Sequence, residues 1–469
     1  MRFKTMVLFS KNLPSPAFWT SSKREGSNPG LRLRLSRPKL QYGLLSLMLF
    51  SALVEAAPKI QQWQATQGSR VYYVHTPSLP MVDIRVSFDA GSARDGAQFG
   101  IAALTNDMLE SGAGEWNADE IAKRFESVGA GLSSTVSEDI ASVSLRSLTD
   151  KQWLDSALQT FKVVLTQPHF SEDDFQREKN RMLAGLKHRE ESPAAIASIA
   201  FGKALYGDHP YAHPEEGSLE TVAAFQTSDL KRFHQTYYVA SNAIVVIVGD
   251  LSRPQAEQVA EDLLSGLPRG AKPSEIPPVT MPIQASRQRI DFPSSQTHVL
   301  AGMPGMHRKD ADYFSLYVGN YILGGGSLVS KLFDEVREKR GLAYSASSQF
   351  APMFREGPFT IGLQTRNDQT AKAVEVMNAT LNEFINQGPT EAELIAAKKN
   401  ITGGFALRTD TNSKLLDYLT MIGFYQQPLD YLDVFQSKVE AVSAAQIKDA
   451  FQRRIRPERL QIITVGGGQ

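Results

Sequence analysis

Apolar and polar positions alternate with the two-residue period of a half-buried strand in "MVDIRVSFDAGS" and again in "THVLAGMPG". Two further runs, "YYVASNAIVVIVGD" and "RRIRPERLQIITVG", each close on an apolar strand. Between the strands the period lengthens. In "GIAALTNDMLESGAG", Ile101, Leu104 and Met108, with Ala102 and Leu109 beside them, recur at spacings of three and four, which predicts an amphipathic helix ending at a glycine turn. Its polar face carries Ala103, Asn106, Asp107 and Glu110, a stripe expected to be solvated or turned towards an interface. "SLVSKLFDEVREKRGLAYS" predicts a second helix with Leu328, Leu332 and Val336 on one face, stopped by Gly341 and followed by a strand carrying Tyr344.

The pattern is written twice. "FSEDDFQREKNRMLAGL" and "PTEAELIAAKKNITGGF" share an acidic helix start and a basic body, with Ser171 and Thr390 separated by 219 residues. Gly249 and Gly466, at the ends of the two apolar strands, lie 217 apart, so two independent anchors agree within two residues. A period this long indicates a duplication, not a solenoid. Between the copies, residues 267–284 hold five prolines in 18 residues and no periodicity, the composition of a linker. The expected fold is therefore α+β, with two homologous halves, each an antiparallel or mixed sheet packed with helices. The expected boundaries are 1–57 for a signal region, 58–266 for the first half, 267–284 for the linker and 285–469 for the second half.

Composition narrows the chemistry. The 469 residues contain no cysteine, which excludes disulfides, thiolate metal sites and a cysteine nucleophile, so any metal would need His, Asp or Glu. Fifty basic and fifty acidic residues cancel, removing a bulk electrostatic case for nucleic acid. Neither HExxH nor HxxEH occurs, and "HREE" at His188 lacks a second histidine. His209 and His213 in "HPYAHP" have ligand-like spacing, but Pro210 and Pro214 argue for a loop with satisfied or solvent-facing rings. The run Gly324, Gly325 and Gly326 lacks the Lys-Ser/Thr of a phosphate loop and reads as a turn between helices. Residues 42–54, "YGLLSLMLFSALV", are too short for a stable membrane span; after the basic "RLRLSRPK" they read as an export signal cleaved near Ala56. The expected location is the bacterial periplasm; the Arg- and Ser-rich start leaves a mitochondrial transit peptide as the alternative.

Three stretches carry a family resemblance: "GSARDGAQFGIAALTNDMLESGAGEWNADEIAKRFESVGAGLSSTVSEDIASVSL", "YGDHPYAHPEEGSLETV" and "YILGGGSLVSKLFDEVREKRGLAYSASSQF". They resemble the pitrilysin/insulinase family of inverted zincins, which includes the mitochondrial processing peptidases, over about 400 residues. The resemblance implies the family's clam-shell architecture. It puts the first zinc histidine on Ala103, the base Glu on Asn106, the second histidine on Asp107 and the third ligand near Gly185. None of these can serve: Ala and Gly bring no donor, and Asn is no base near neutral pH. Asp107 with Glu110 would attract a hard cation only weakly. The family's paired Arg and Tyr are present, at Arg337 and Tyr344. An always-charged guanidinium and a phenol suit the carbonyl oxygens and developing negative charge of a peptide under attack. Read without the family, Arg337 would pair with Glu335 or Glu338 and Tyr344 would pack in a sheet.

The resemblance thus implies the R/Y-type subunit of a heteromeric zinc metallopeptidase. This chain would bind no metal or cofactor, zinc would reside in an HxxEH-bearing homologous subunit, and unfolded peptides would be the substrates. The alternatives are a peptidase-like scaffold or peptide-binding protein without catalytic contribution, and a self-sufficient metallopeptidase with unrecognised ligands.

Overall fold

The computed structural model describes residues 59–468, so the expected signal region lies outside the described residues. Eleven main strands form two mixed sheets. The first contains β1 (Gln61–Gln64), β2 (Arg70–His75), β3 (Met81–Phe88), β4 (Gly131–Val136), β5 (Ala141–Leu148) and β6 (Ala243–Gly249), in the order β1-β2-β6-β3-β5-β4. The second contains β7 (Ser286–Ile290), β8 (Gln296–Met306), β9 (Ala343–Phe350), β10 (Gly357–Arg366) and β11 (Gln461–Val465), in the order β9-β10-β8-β11-β7. Read from its β4 edge, the first sheet has the order of the second with β1 added. The single parallel pairing also recurs, β2 with β6 and β7 with β11. Residues 267–284 form no helix or strand.

The repeat extends to individual atoms. Ser171 caps α2 (Glu172–Arg189) by accepting from the Asp174 amide, and Thr390 caps α4 (Glu391–Gly403) by accepting from the Glu393 amide. Gly249 and Gly466 end β6 and β11 at φ 155° and 145°. A Cβ there would stand 2.4 Å from the Met81 carbonyl oxygen and 2.6 Å from that of Gln296, so both turns demand glycine.

Helix α1 (Ile101–Met108) and its neighbours cover one face of the first sheet, meeting Val71, Tyr73, Val245 and Ile247. The alternate residues Tyr72, Val74, Ile244, Val246 and Val248 face the opposite way, into a core shared with the second half. There α5 (Asn412–Phe424) packs on β2, β3 and β6. Reciprocally, α3 (Pro193–Tyr206) of the first half packs on β8 and β11 of the second sheet, placing Ala197, Phe201 and Leu205 beside Ile463 and Val465. The two exchanged helices start at Pro193 and Asn412, the same 219-residue spacing found between Ser171 and Thr390. A polar bond also joins the halves: Arg85 on β3 reaches Asp417 on α5 at 2.8 Å.

Small residues permit the close approach. A Cβ on Gly423 of α5 would lie 2.6 Å from the Tyr72 ring, whereas one on Gly185, inside α2, would meet nothing within 4 Å. Gly423→Ala is expected to lower the unfolding midpoint, at a cost of about 1–3 kcal/mol from overpacking. Gly185→Ala is expected to raise it slightly, since alanine in a helix interior gains roughly 0.5–1 kcal/mol over glycine. Thermal and denaturant unfolding of the two variants beside the parent would check both signs.

Candidate functional site

Helix α1 is started by Asp95, whose carboxylate accepts from the amides of Gly100 at 2.6 Å and Ala102 at 3.0 Å. Its apolar face is buried as the periodicity requires. The polar face is not the uniform stripe expected. Asn106 is 1% exposed and donates its Nδ2 to the Tyr238 hydroxyl at 3.0 Å; its Oδ1 is buried without a hydrogen-bond partner. The reason is tertiary: residues 227–237 form a helix packed against α1, and Tyr238 follows it, its ring tilted against that of Phe88. Asp107 remains on the surface. Asp107 and Glu110 do not converge, since Asp107 pairs with Arg181 at 3.1 Å while Glu110 accepts from Ser134 at 2.9 Å.

The carboxylate that does approach this helix is Glu178 on α2, its side chain 12% exposed. Arg181 bridges Asp107 and Glu178, lying 2.6 Å from the latter. Gly185, which the resemblance aligned with a third ligand, lies on the same helix beyond this cluster. The i, i+3 pair in "REKNRM" is the sequence signal that could have pointed to Glu178 and Arg181. Among the described residues no group of three or more His, Asp or Glu side chains is arranged to hold a metal ion. With Ala103, an amide at 106 and a guanidinium between the two carboxylates, the residues here do not fit zinc.

His209 and His213 lie in a loop around a short 3-10 turn, Pro210–Ala212. His209 accepts from the Tyr211 amide through Nδ1 and meets the Pro277 carbonyl through Nε2 at 2.9 Å. His213 stacks on Phe99 with ring centroids 4.1 Å apart, and burial lowers its pKa, favouring the neutral ring.

Arg337 and Tyr344 come together on the second half. The helical segment is shorter than the pattern suggested: Leu328 is 68% exposed in a 3-10 turn, Ser327–Val329, while Leu332 and Val336 are buried. Gly326, whose amide bonds back to Tyr321, and Ser327, at φ 54°, redirect the chain before Lys331, so Leu328 never joins the helix face. Helical residues Lys331–Phe333 then widen into a π turn, Asp334–Glu338, that carries Arg337. Gly341 ends the segment at φ 60°, its amide bonding to the Arg337 carbonyl at 2.8 Å. The β9–β10 pairing shifts register between Ala343 and Ala346. This bulge turns Tyr344 outward, 82% exposed, so it does not pack in the sheet. The Arg337 guanidinium carbon lies 4.8 Å from the Tyr344 ring centre and 4.7 Å from that of Phe333, within cation–π range. Glu335 does not hold Arg337, because Lys339 and Arg340 each approach its carboxylate to 2.5 Å; Glu338 stands at 3.8 Å. The pair is thus oriented by rings, with Glu338 as the guanidinium's long ion-pair partner.

Comparisons with known proteins identify the family. The insulinase (peptidase family M16) model matches residues 70–217, and the peptidase M16 inactive-domain model matches residues 224–401. A solved structure from Pseudomonas fluorescens, described as a peptidase M16 inactive domain, superposes with a TM-score of 0.85 at 36% identity, covering 87% of this chain and 98% of that one. The chain belongs to the M16 peptidase family. Among curated M16-like relatives, a Helicobacter pylori protein named non-peptidase homolog YmxG is 29% identical, covering 81% of this chain and 87% of its own length. A Bacillus subtilis protein named uncharacterized zinc protease YmxG is 26% identical, covering 76% and 86%.

In this M16 chain the loop before residue 219 presses on the start of α1, and a Cβ on Gly100 would lie 2.7 Å from the Glu216 carbonyl oxygen. That packing gathers acids. Burial, reinforced by Glu138 and Glu216, pushes Glu215 up to about 8; burial likewise pushes Asp95 up to about 8, against the two amides that bond it. For an acid whose folded pKa is raised, the stabilising contribution is complete below its unfolded pKa and is lost as pH rises through its folded one. Glu215→Gln should therefore gain stability relative to the parent between about pH 4 and pH 8, the window from the unfolded carboxylate pKa to the folded value. Paired unfolding curves across that range, read as the difference between variant and parent, would check the sign.

Proposed function

We propose that this chain is the metal-free subunit of a heteromeric M16 peptidase. An HxxEH-bearing homologue would supply zinc and the general base, and Arg337 and Tyr344 would hold the carbonyl oxygens of an unfolded peptide. The observation that carries the reading is the Arg337–Tyr344 pair: an exposed phenol and a guanidinium whose one ion pair, to Glu338, is long at 3.8 Å, held against each other in a chain whose α1 carries Ala103, Asn106 and Asp107 at the zinc positions. A side chain kept only for packing would not be turned outward by a bulge.

Arg337 would orient the peptide by charge-assisted hydrogen bonds to carbonyl oxygens, and Tyr344 would donate its hydroxyl proton to the same segment. Alone, this chain is read as catalytically silent, in line with the name of its Helicobacter relative. Export to the periplasm belongs to the same proposal, resting on the apolar run at residues 42–54. The described residues include no helix long and apolar enough to cross a membrane.

Co-expression with an HxxEH-bearing homologue, followed by turnover of an unfolded peptide, tests the reading. Arg337→Ala is expected to reduce kcat by about 10²–10³-fold, the usual consequence of losing one preorganised donor, with Tyr344→Phe lowering it in the same direction. Unchanged turnover in both variants would sink the shared-site idea in favour of a scaffold. Stoichiometric zinc in the purified single chain would overturn it in favour of a self-sufficient enzyme.

A further inference from the structure

A cavity of about 270 Å³ opens within the second half, between residues 307–309 and the 353–356 loop, apart from the residues discussed above. His307, Arg308 and Lys309 form one side, Phe354 and Arg355 the other, and Tyr425 closes it. Its charge is one-sided: three permanent cations face one carboxylate, that of Glu356.

Arg308 is the unusual member. It is half-buried, yet it joins no ion pair among the described residues, and its Nε is buried without a hydrogen-bond partner. The nearby acid Asp310 pairs through Oδ1 with Arg454, 2.6 Å away, while its Oδ2 is buried without a hydrogen-bond partner and makes no ion pair with Arg308. The guanidinium carbon stands 5.2 Å from the Tyr425 ring centre, a contact that offsets only part of its desolvation. Lys309 is exposed and also unpaired among the described residues. Arg355 gives its Nε to the Ile276 carbonyl at 2.6 Å and one terminal nitrogen to Glu275, itself 93% exposed, leaving Nη1 uncommitted. His307 accepts from the Lys309 amide through Nδ1, which leaves Nε2 to carry the donor proton.

The opposite wall is held rigidly by Asp139, in the turn between β4 and β5. Its buried carboxylate accepts from the Tyr425 hydroxyl at 2.9 Å, the Phe354 amide at 2.8 Å and the Tyr211 hydroxyl at 2.6 Å. The Arg355 amide in turn bonds to the Tyr211 oxygen at 3.3 Å. Arg308 is fixed by its amide to the Met353 carbonyl and by its carbonyl to Gln427. Cationic donors beside a prearranged aromatic wall, two of them, Arg308 and Lys309, without an ion-pair partner among the described residues, match a group of acceptor oxygens.

We infer that this cavity binds a small oxyanion, a carboxylate or a phosphate, with Arg308 as the central ligand and Lys309 and Arg355 at its rim. The inference does not rest on the peptidase reading. Calorimetric titration of the whole chain with inorganic phosphate and, separately, with glutarate, at ionic strength matched by sodium chloride, tests it and tells the two sources apart. Saturable binding of at least one probe is expected. Arg308→Gln should weaken it by about tenfold or more, Lys309→Ala by a few-fold, and Glu356→Gln should strengthen it. Because Lys309 is exposed, its variant reads the site even if Arg308→Gln fails to fold. Absence of saturation by either probe up to about 20 mM, far beyond the strength of a multidentate charge-assisted site, would overturn the inference. Binding that all three variants leave unchanged would overturn it as well.

Discussion

Each sheet in this protein is apolar on both faces and cannot be covered by its own half alone. In β6 every residue is buried, with Val245 and Ile247 facing the helices of the first half and Ile244, Val246 and Val248 facing away from them. A sheet with two apolar faces must be sandwiched. Here the second cover is a helix lent by the other half, α5 on the first sheet and α3 on the second, and the exchange is reciprocal because the halves are copies. The halves therefore share one core: opening them would expose the Tyr72 face of the first sheet and the Ile463 face of the second at once, and burial of that surface resists it.

The same constraint organises the polar features. Once α3 and α5 have crossed over, the β4–β5 turn of one half meets the β9–β10 turn of the other, and Asp139 takes up the Phe354 amide there. Burial raises the pKa of Asp139, while two phenols and an amide supply the hydrogen bonds that water would otherwise provide. Residues 267–284, without helix or strand, are strapped across this seam: the Ser274 carbonyl accepts from Arg94 and the Ile276 carbonyl from Arg355. The junction is thus a polar joint beside the apolar surfaces that the halves share.

The α1 region and the Arg337–Tyr344 pair illustrate opposite relations between pattern and chemistry. On α1 the family's helix survives with its apolar face intact, because that face holds the first sheet's core whatever the polar face does. Its chemistry is replaced in kind: a hydrogen bond to Tyr238 uses position 106, and a guanidinium joins Asp107 to Glu178. On the second half the surrounding helix is irregular, with a π turn and a bulged strand, and these departures present Arg337 and Tyr344 together. π turns and β-bulges are over-represented at functional sites.

Much of this was legible in the chain. Period-two and period-3.6 patterning located β3, β8 and the apolar face of α1, because burial of one face acts on residues near each other in sequence. The 219-residue spacing disclosed the duplication, and glycines 249 and 466 have backbone angles that other residues rarely adopt. Residue type alone ruled out zinc ligation at Ala103 and Asn106. Other features depended on contacts between distant segments. Asn106 is buried because Tyr238 reaches it across 132 positions. Leu328 leaves its helix face because the turn after Gly326 diverts the backbone, and Glu178 is tied to α1 through Arg181 because of how two helices pack. The exchange of α3 and α5 has no local signature, since an apolar helix face reads the same whichever sheet it covers. Local periodicity determined which faces are buried; only the tertiary structure decided against what, because burial energy depends on area and not on the identity of the partner.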